Sequence, residues 1–396
     1  MDLKTLKKKF IELYGGSADD IRFFESPGRV NIIGEHTDYN GGYVMPAALT
    51  LSTTIAARKR DDNIIRLAAT TIDAKVEAYT DELNDYRDLK WGNYQVGVAY
   101  VMQKAGFAIK GCDMLYDDTT PHGSGLSSSA AIEVATALAF ATASNEEKGI
   151  TEPVDMIEMA KLSQQAEHEY VGVKCGIMDQ FASAMGKKDH AIFLNCKTLE
   201  YKLVPLDIKG CKIVNSNTNK NHSLGASKYN DRLGECGAAV EALKKSLPGI
   251  ACLADVSPAD FEKYADTIED KTVRNRAQHV VYEIDRTLKS IEALEKSDIV
   301  LFGQLMNGSH DSLRDLYEVS CVELDTLVDE ARKIEGTLGS RMTGAGFGGS
   351  TVSIVKEEYV DEFIEKVGKV YEEKIGYAAS FYVSEIGDGG RELPLE

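Results

Sequence analysis

The chain has 396 residues, with 45 lysines and arginines against 63 aspartates and glutamates, for a formal charge of −18. Its 43% hydrophobic content is enough to bury a sizeable core and excludes a disordered chain. The acidity excludes general affinity for nucleic acid or anionic membrane, which depends on Lys and Arg, so an anionic ligand must find a local positive site.

The chain opens with MDLKTLKKKFIELYGG, which reads as an amphipathic helix without the apolar stretch of an export signal. Strand patterns follow at Arg29 to Ile33, Leu51 to Arg58, Ile64 to Ala69 and Cys112 to Tyr116. Helical patterns fall at Tyr94 to Lys104, Ser128 to Ala143, Val154 to Tyr170 and Ile177 to Met185. Two more strands, His190 to Leu194 and Tyr201 to Leu206, lead to Pro205, which marks a boundary between domains 1–205 and 206–396. Beyond it come a strand at Lys212 to Asn215 and helices at Ser227 to Lys245, Arg274 to Glu295 and Val322 to Ile334. The end holds a glycine-rich loop at Arg341 to Gly349, a strand at Ser350 to Val355, a helix at Tyr359 to Tyr371 and a strand at Ala379 to Val383. Strands and helices mixed without regular alternation predict an α+β fold. Seven cysteines without a Cys-x-x-Cys pair fit reduced thiols in the cytoplasm.

Three segments carry chemistry. Pro121-His122-Gly123-Ser124-Gly125-Leu126-Ser127-Ser128-Ser129 lies between a strand and a buried helix. Its glycines let backbone approach a ligand, and the helix N-terminus offers unpaired N–H groups, so it fits a phosphate cradle; an ordinary turn with a serine N-cap is the plainer alternative. No Walker-type P-loop string occurs, and Gly344-Ala345-Gly346-Phe347-Gly348-Gly349 leads into a strand rather than the helix that a dinucleotide fingerprint requires. That loop is expected to pack close to another loop or a ligand. Gly28-Arg29-Val30-Asn31-Ile32-Ile33-Gly34-Glu35-His36-Thr37-Asp38-Tyr39-Asn40-Gly41-Gly42 places two carboxylates, an imidazole and a hydroxyl within four residues, which suits a polyhydroxylated ligand such as a sugar. A solvated turn, or a metal site at Glu35, His36 and Asp38, would use the same residues. Glu167 ends one predicted helix and Asp179 sits in the first turn of the next, where a carboxylate is also favoured by the helix dipole alone.

Together GRVNIIGEHTDYNGG, PHGSGLSSSAA, CGIMDQ and RMTGAGFGG resemble the galactokinase family of the GHMP kinase superfamily, in matching order from Gly28 to Gly349. The resemblance implies a two-lobed α+β fold, with an N-terminal ribosomal-protein-S5-like lobe and a C-terminal ferredoxin-like lobe. It assigns Gly123, Ser124, Gly125, Leu126, Ser127, Ser128 and Ser129 to the phosphate loop, Ser129 and Glu167 to Mg²⁺, and Arg29 and Asp179 to the catalytic pair. Glu35, His36, Thr37, Asp38, Gly176 and Tyr229 match the sugar contacts. Ala345 and Ser350 depart from the glycine and cysteine frequent at those positions, and His122 stands at a variable one; none is a catalytic group.

The implied reaction transfers the γ-phosphoryl group of ATP to the C1 hydroxyl of galactose, giving galactose 1-phosphate and ADP. The phosphate loop has no lysine, so amide donors, the helix end, Mg²⁺ and Arg29 must neutralise the triphosphate, while Asp179 either accepts the hydroxyl proton or, held ionised by Arg29 and the helix end, mainly orients the hydroxyl. Asp38 is expected to read the C3/C4 hydroxyl region. No nucleic acid, membrane or obligatory protein partner is expected. A kinase for N-acetylgalactosamine or another sugar, and a galactose- and ATP-binding sensor without turnover, are the alternatives; the intact GEHTDYNGG string and the presence of Arg29, Ser127, Ser128, Ser129 and Asp179 favour the enzyme.

Overall fold

A computed structural model describes residues 1–73, 75–121, 123–208, 210–220 and 225–395, and the side chains of those except 225–227. His122 therefore lies outside the described residues. The first helix, Leu3–Tyr14, starts where Asp2 accepts from the Thr5 amide at 2.9 Å. It buries Leu6 and Phe10, one turn apart, against the sheet behind it.

That sheet has six strands in the order Arg391–Leu393, Arg22–Asn31, Pro46–Lys59, Cys112–Asp118, Ile64–Ala69 and Lys75–Tyr79. Only the pairing of Ile64–Ala69 with Cys112–Asp118 is parallel. The alanine-rich helix Ser128–Lys148 packs on it, beside Gly92–Lys104, Met156–Ala166 and Met178–Met185. Alanines at the contacts let these helices lie close. A three-stranded sheet of Tyr43–Val44, His190–Asn195 and Tyr201–Pro205 adjoins them.

The second half builds an antiparallel four-stranded sheet, Thr337–Thr343, Ser350–Lys356, Cys211–Asn217 and Ser380–Ser384, with Ile299–Ser312, Val322–Ala331 and Val360–Ile375 packed around it. The change of sheet falls just after Pro205, yet the tail returns: Leu393 pairs with Phe23 in the first sheet. Helix Ile299–Ser312 carries no clean apolar period and contains Gly303, where a Cβ would lie 2.1 Å from the Leu338 carbonyl oxygen. Arg341, Met342 and Thr343 belong to a strand, so the glycine-rich loop begins at Gly344 rather than Arg341. Ladder pairing with Ser350–Lys356 draws them into the sheet.

The predicted helix Val154 to Tyr170 is α-helical only over Met156–Ala166 and widens to a π-turn at Glu167–Val171. Such turns rotate a side chain out of helical register, frequently at functional sites. Among the described residues no helix is long and apolar enough to cross a membrane.

Candidate active site

Arg29 is the hinge of the site. It lies on the strand Arg22–Asn31, is 3% exposed, and reaches two other elements. Nε and Nη2 donate to Asp179 Oδ1 at 2.9 and 2.8 Å, and Nη1 donates to the Gly125 carbonyl at 2.6 Å. Asp179 accepts from the Ser127 hydroxyl on its other oxygen at 2.7 Å. The sugar-loop strand, the phosphate loop and the helix Met178–Met185 are thus joined through one carboxylate.

Ser127 is not a helix cap. Its φ is +60° and its side chain makes no bond to the first-turn amides of Ser128–Lys148. Those amides and the partial positive charge of the helix end remain open to an anion, which removes the N-cap alternative. The side chains of Ser124 and Leu126 are turned away. Ser124 donates to the Pro121 carbonyl at 2.6 Å, and Leu126 is fully buried in the core beside Val30 and Ile32. Their backbone groups are engaged as well: the Ser124 amide by the Pro121 carbonyl, the Leu126 amide by the Ser124 hydroxyl, and the Leu126 carbonyl by the Arg29 amide. The Ser350 hydroxyl donates to the Ser124 carbonyl at 2.5 Å, so the glycine-rich segment packs on the phosphate loop as its composition suggested.

A cavity of about 220 Å³ brings together Arg29, Glu35, His36, Asp38, Ser129, Glu167, Gly176, Asp179 and Tyr229 with Gly344 and Ala345. Thr37 is absent from it. Its Oγ1 lies 2.9 and 2.7 Å from the carbonyl oxygens of Gly34 and Tyr43, so the hydroxyl proton braces the loop from behind and is not offered to a ligand. Gly176 is required by close approach, because a Cβ there would lie 1.8 Å from Asp38 Oδ2. His36 is buried, and burial lowers its pKa to about 3. The neutral ring donates from Nε2 to the Ala345 carbonyl at 3.2 Å and accepts at Nδ1 from the Tyr39 hydroxyl at 2.8 Å. Tyr229 stands 5.1 Å from Tyr39, ring centre to ring centre, and closes an aromatic wall.

The cavity holds four carboxylates against one guanidinium. Burial, with the Asp179 charge second, pushes Asp38 up to about 7 and does the same to Glu167. Burial also raises the pKa of Glu35, opposed by Arg341, whose Nη2 donates to Glu35 Oε2 at 2.6 Å. Glu167 has no ion-pair partner among the described residues, is 6% exposed, and has the Ser129 hydroxyl beside it. A carboxylate and a hydroxyl side by side, both hard oxygen donors, fit Mg²⁺. No group of three or more His, Cys, Asp or Glu able to hold a metal by itself occurs among the described residues, so the alternative of a metal at Glu35, His36 and Asp38 has no support.

A second cavity of about 200 Å³ opens on the other side of Ser129, lined by Trp91, Tyr94, Tyr116, Ile72 and Ser128. Sequence reasoning did not find it, because its aromatic residues come from separate elements with no shared motif. It also missed Tyr39, Arg341 and Glu283. For Arg341 the sequence carries no signal, because it reads as the start of a loop and becomes a buried strand residue only through pairing with Ser350–Lys356.

Residues 8–59 match the galactokinase galactose-binding signature, residues 93–187 the GHMP kinases N terminal domain and residues 290–373 the GHMP kinases C terminal. The chain is 47% identical to the galactokinase of Bacillus subtilis over 99% of this chain and 100% of that protein. It is likewise 47% identical to that of Clostridium acetobutylicum over 99% of each. The crystal structure of Lactococcus lactis galactokinase complexed with galactose superposes with a TM-score of 0.94 at 41% identity, over 99% of this chain and 100% of that one. Mevalonate kinase of Methanococcus jannaschii, at 20% identity and a TM-score of 0.63 over 92% and 98% of the two chains, shares the fold. With the sugar loop, the open helix end and the Arg29–Asp179 pair in one cavity, and identity of this extent over the full length, the chain belongs to the galactokinase family of the GHMP kinases.

Proposed function

We propose that the chain transfers the γ-phosphoryl group of ATP to the C1 hydroxyl of galactose, giving galactose 1-phosphate and ADP. The carrying observation is the single cavity in which Asp179 is tied to Arg29 and Ser127 while Asp38, Glu35, Gly176 and Tyr229 form the facing wall. A sugar seated on that wall presents one hydroxyl toward Asp179, and a triphosphate on the open amides of Ser128–Lys148 presents its end toward the same carboxylate. Phosphoryl transfer depends chiefly on such in-line positioning and on neutralising charge.

In this assignment Glu35, His36, Asp38, Gly176 and Tyr229 hold the sugar, and Thr37 supports the loop that carries them. The segment Gly123 to Ser129 cradles the phosphates, chiefly through the uncapped first turn of Ser128–Lys148, with Ser124 and Leu126 shaping the loop. The apolar and aromatic slot at Trp91, Tyr94 and Ile72 takes the adenine, since it adjoins the phosphate loop through Ser128 and Ser129. Ser129 and Glu167 would hold Mg²⁺, which when bound would supply positive charge to the phosphates. Arg29 adds its own charge and holds Asp179, which orients the C1 hydroxyl and accepts its proton. The domains 1–205 and 206–396 then act as two lobes, with residues 391–393 completing the sheet of the first. All seven cysteines are free, which supports a reducing, cytoplasmic setting. The reading invokes no nucleic acid, membrane or protein partner.

ADP release measured across galactose, glucose, N-acetylgalactosamine and mevalonate tests this assignment. Galactose is expected to be turned over with the highest kcat/KM, and only with Mg²⁺ present. Preference for another acceptor, or binding of galactose and ATP without ADP release, would overturn it.

A further inference from the structure

The sugar loop is held from behind by residues that its motif does not include. Glu283, fully buried on helix Lys271–Glu295, accepts from the amides of Gly34 at 3.1 Å and Glu35 at 3.3 Å. The same oxygen accepts from the Ser309 hydroxyl at 2.5 Å, and the other pairs with Arg286 at 2.7 Å. Ser309 Oγ in turn accepts from Arg341 Nε at 3.2 Å. Arg341 donates to Glu35 Oε2 at 2.6 Å and to the carbonyls of Asn31 and Ile32 at 2.9 and 3.2 Å. A closed ring of hydrogen bonds therefore runs from the Glu35 amide through Glu283, Ser309 and Arg341 back to the Glu35 carboxylate. Of its members only Glu35 lines the sugar cavity.

We infer that Glu283 and Arg341 are positioning residues for sugar recognition, fixing the Gly34–Asp38 loop so that its carboxylates match one arrangement of sugar hydroxyls. The inference rests on the assignment of that loop to the sugar. The loop needs such support, because Gly34 has φ +96°, with no room for a Cβ beside the Tyr43 carbonyl, and His36 has φ +62°. Backbone in these regions persists only where the surroundings over-determine it. A buried ion pair such as Arg341 with Glu35 adds little stability over apolar packing, but it admits few geometries. Burial alone would favour protonation of Glu283, but Arg286, His279 and Arg341 hold its pKa down to about 2, so the anchor stays charged.

Glu283→Gln and Ser309→Ala test the inference by ADP-release kinetics, with thermal melting to establish folding. Glu283→Gln keeps the side-chain shape but sets an amide NH₂ against either Ser309 or Arg286. Its galactose KM is expected to rise about tenfold, the scale of one charged hydrogen bond, while the ATP KM stays within about twofold. The galactose-to-glucose ratio of kcat/KM should fall with it. Ser309→Ala opens the ring without removing a charge and should shift the same two quantities in the same direction by a few fold. If Glu283→Gln does not fold, Ser309→Ala decides alone. Folded variants with wild-type galactose KM and epimer ratio overturn the inference, as does an equal rise in both KM values. A wild-type enzyme indifferent to galactose and glucose would instead defeat the sugar assignment of the loop itself.

Discussion

The sugar loop and the phosphate loop are built on opposite plans. In Gly34–Asn40 nearly every polar group already has a protein partner: Glu35 is paired with Arg341, His36 bridges Tyr39 and Ala345, and Thr37 serves two carbonyls. In Gly123–Ser129 the helix amides lack a side-chain cap and Ser127 is diverted to Asp179. A neutral hydroxylated ligand is distinguished by the fixed placement of acceptors, so its loop is braced. In the proposed assignment a triphosphate is held by charge and by several equivalent donors, for which the uncapped first turn of Ser128–Lys148 is open. Asp179 and Arg29 are where the two plans meet.

The largest effect should come from breaking that meeting point. Asp179→Asn keeps the shape and loses charge and base capacity, so kcat is expected to fall roughly 10²–10⁴-fold while galactose binding changes far less. Arg29→Lys should follow closely, since an ammonium cannot bridge Asp179 and the Gly125 carbonyl together. Single-turnover kinetics beside equilibrium galactose binding separate the two quantities, and wild-type turnover in Asp179→Asn would remove its role.

Next is the sugar side alone. Asp38→Ala should lower galactose kcat/KM roughly ten- to a hundredfold, the cost of one or two lost hydrogen bonds to a charged acceptor, and narrow the advantage over glucose. ATP binding without sugar should stay as it is. If ATP binding falls equally, the two loops are not separable in the way described above.

Glu167 belongs to the phosphate side and gives a pH signature. Its folded pKa is raised to about 7 from 4.5, so the folded state holds more protons than the unfolded one between those values. The contribution of this group to stability without ligands therefore falls as pH rises from about 4.5 to 7, by on the order of 3 kcal/mol. Glu167→Gln is expected to melt higher than wild type at pH 8, to show a shallower slope, with the contribution of the similarly raised Asp38 remaining, and to weaken the magnesium dependence of turnover. Melting curves from pH 4.5 to 8 show it; an unchanged slope together with unchanged magnesium dependence would reject the assignment.

The smallest effect is the sharpest test of how the phosphate loop is made. An N-cap serine replaced by alanine usually costs about 1 kcal/mol of stability. Because Ser127 bonds Asp179 and not the helix amides, Ser127→Ala should leave the melting temperature unchanged and reduce kcat only about three- to tenfold. A clear drop in stability with normal kcat would make it a cap after all.

Much of the site was legible in the sequence because its backbone chemistry is local. Glycines at 123, 125 and 176 and short polar residues between them announce close approach and open donors before any partner is known. Gly176 shows the limit: its need for glycine comes from Asp38, 138 residues earlier, and could be expected only through the resemblance. Thr37, Ser124 and Leu126 match the motif equally well, yet their side chains serve the frame. A motif records which residue types a loop must have, not which way each one turns.

The sequence by itself determined the α+β class and most of the elements, since hydrophobic period and turn chemistry are properties of the chain, while the expected pairing of Arg29 with Asp179 came through the family resemblance. Only the tertiary structure decided what stands behind the loops. His279, Glu283, Thr287 and Ser290 recur on one face of Lys271–Glu295, a stripe that reads as solvated, yet all four are fully buried and Glu283 holds the backbone of Gly34 and Glu35. A polar helical face has the same pattern whether water or another strand satisfies it, and the burial of that stripe was settled by contacts some 250 residues apart in the chain.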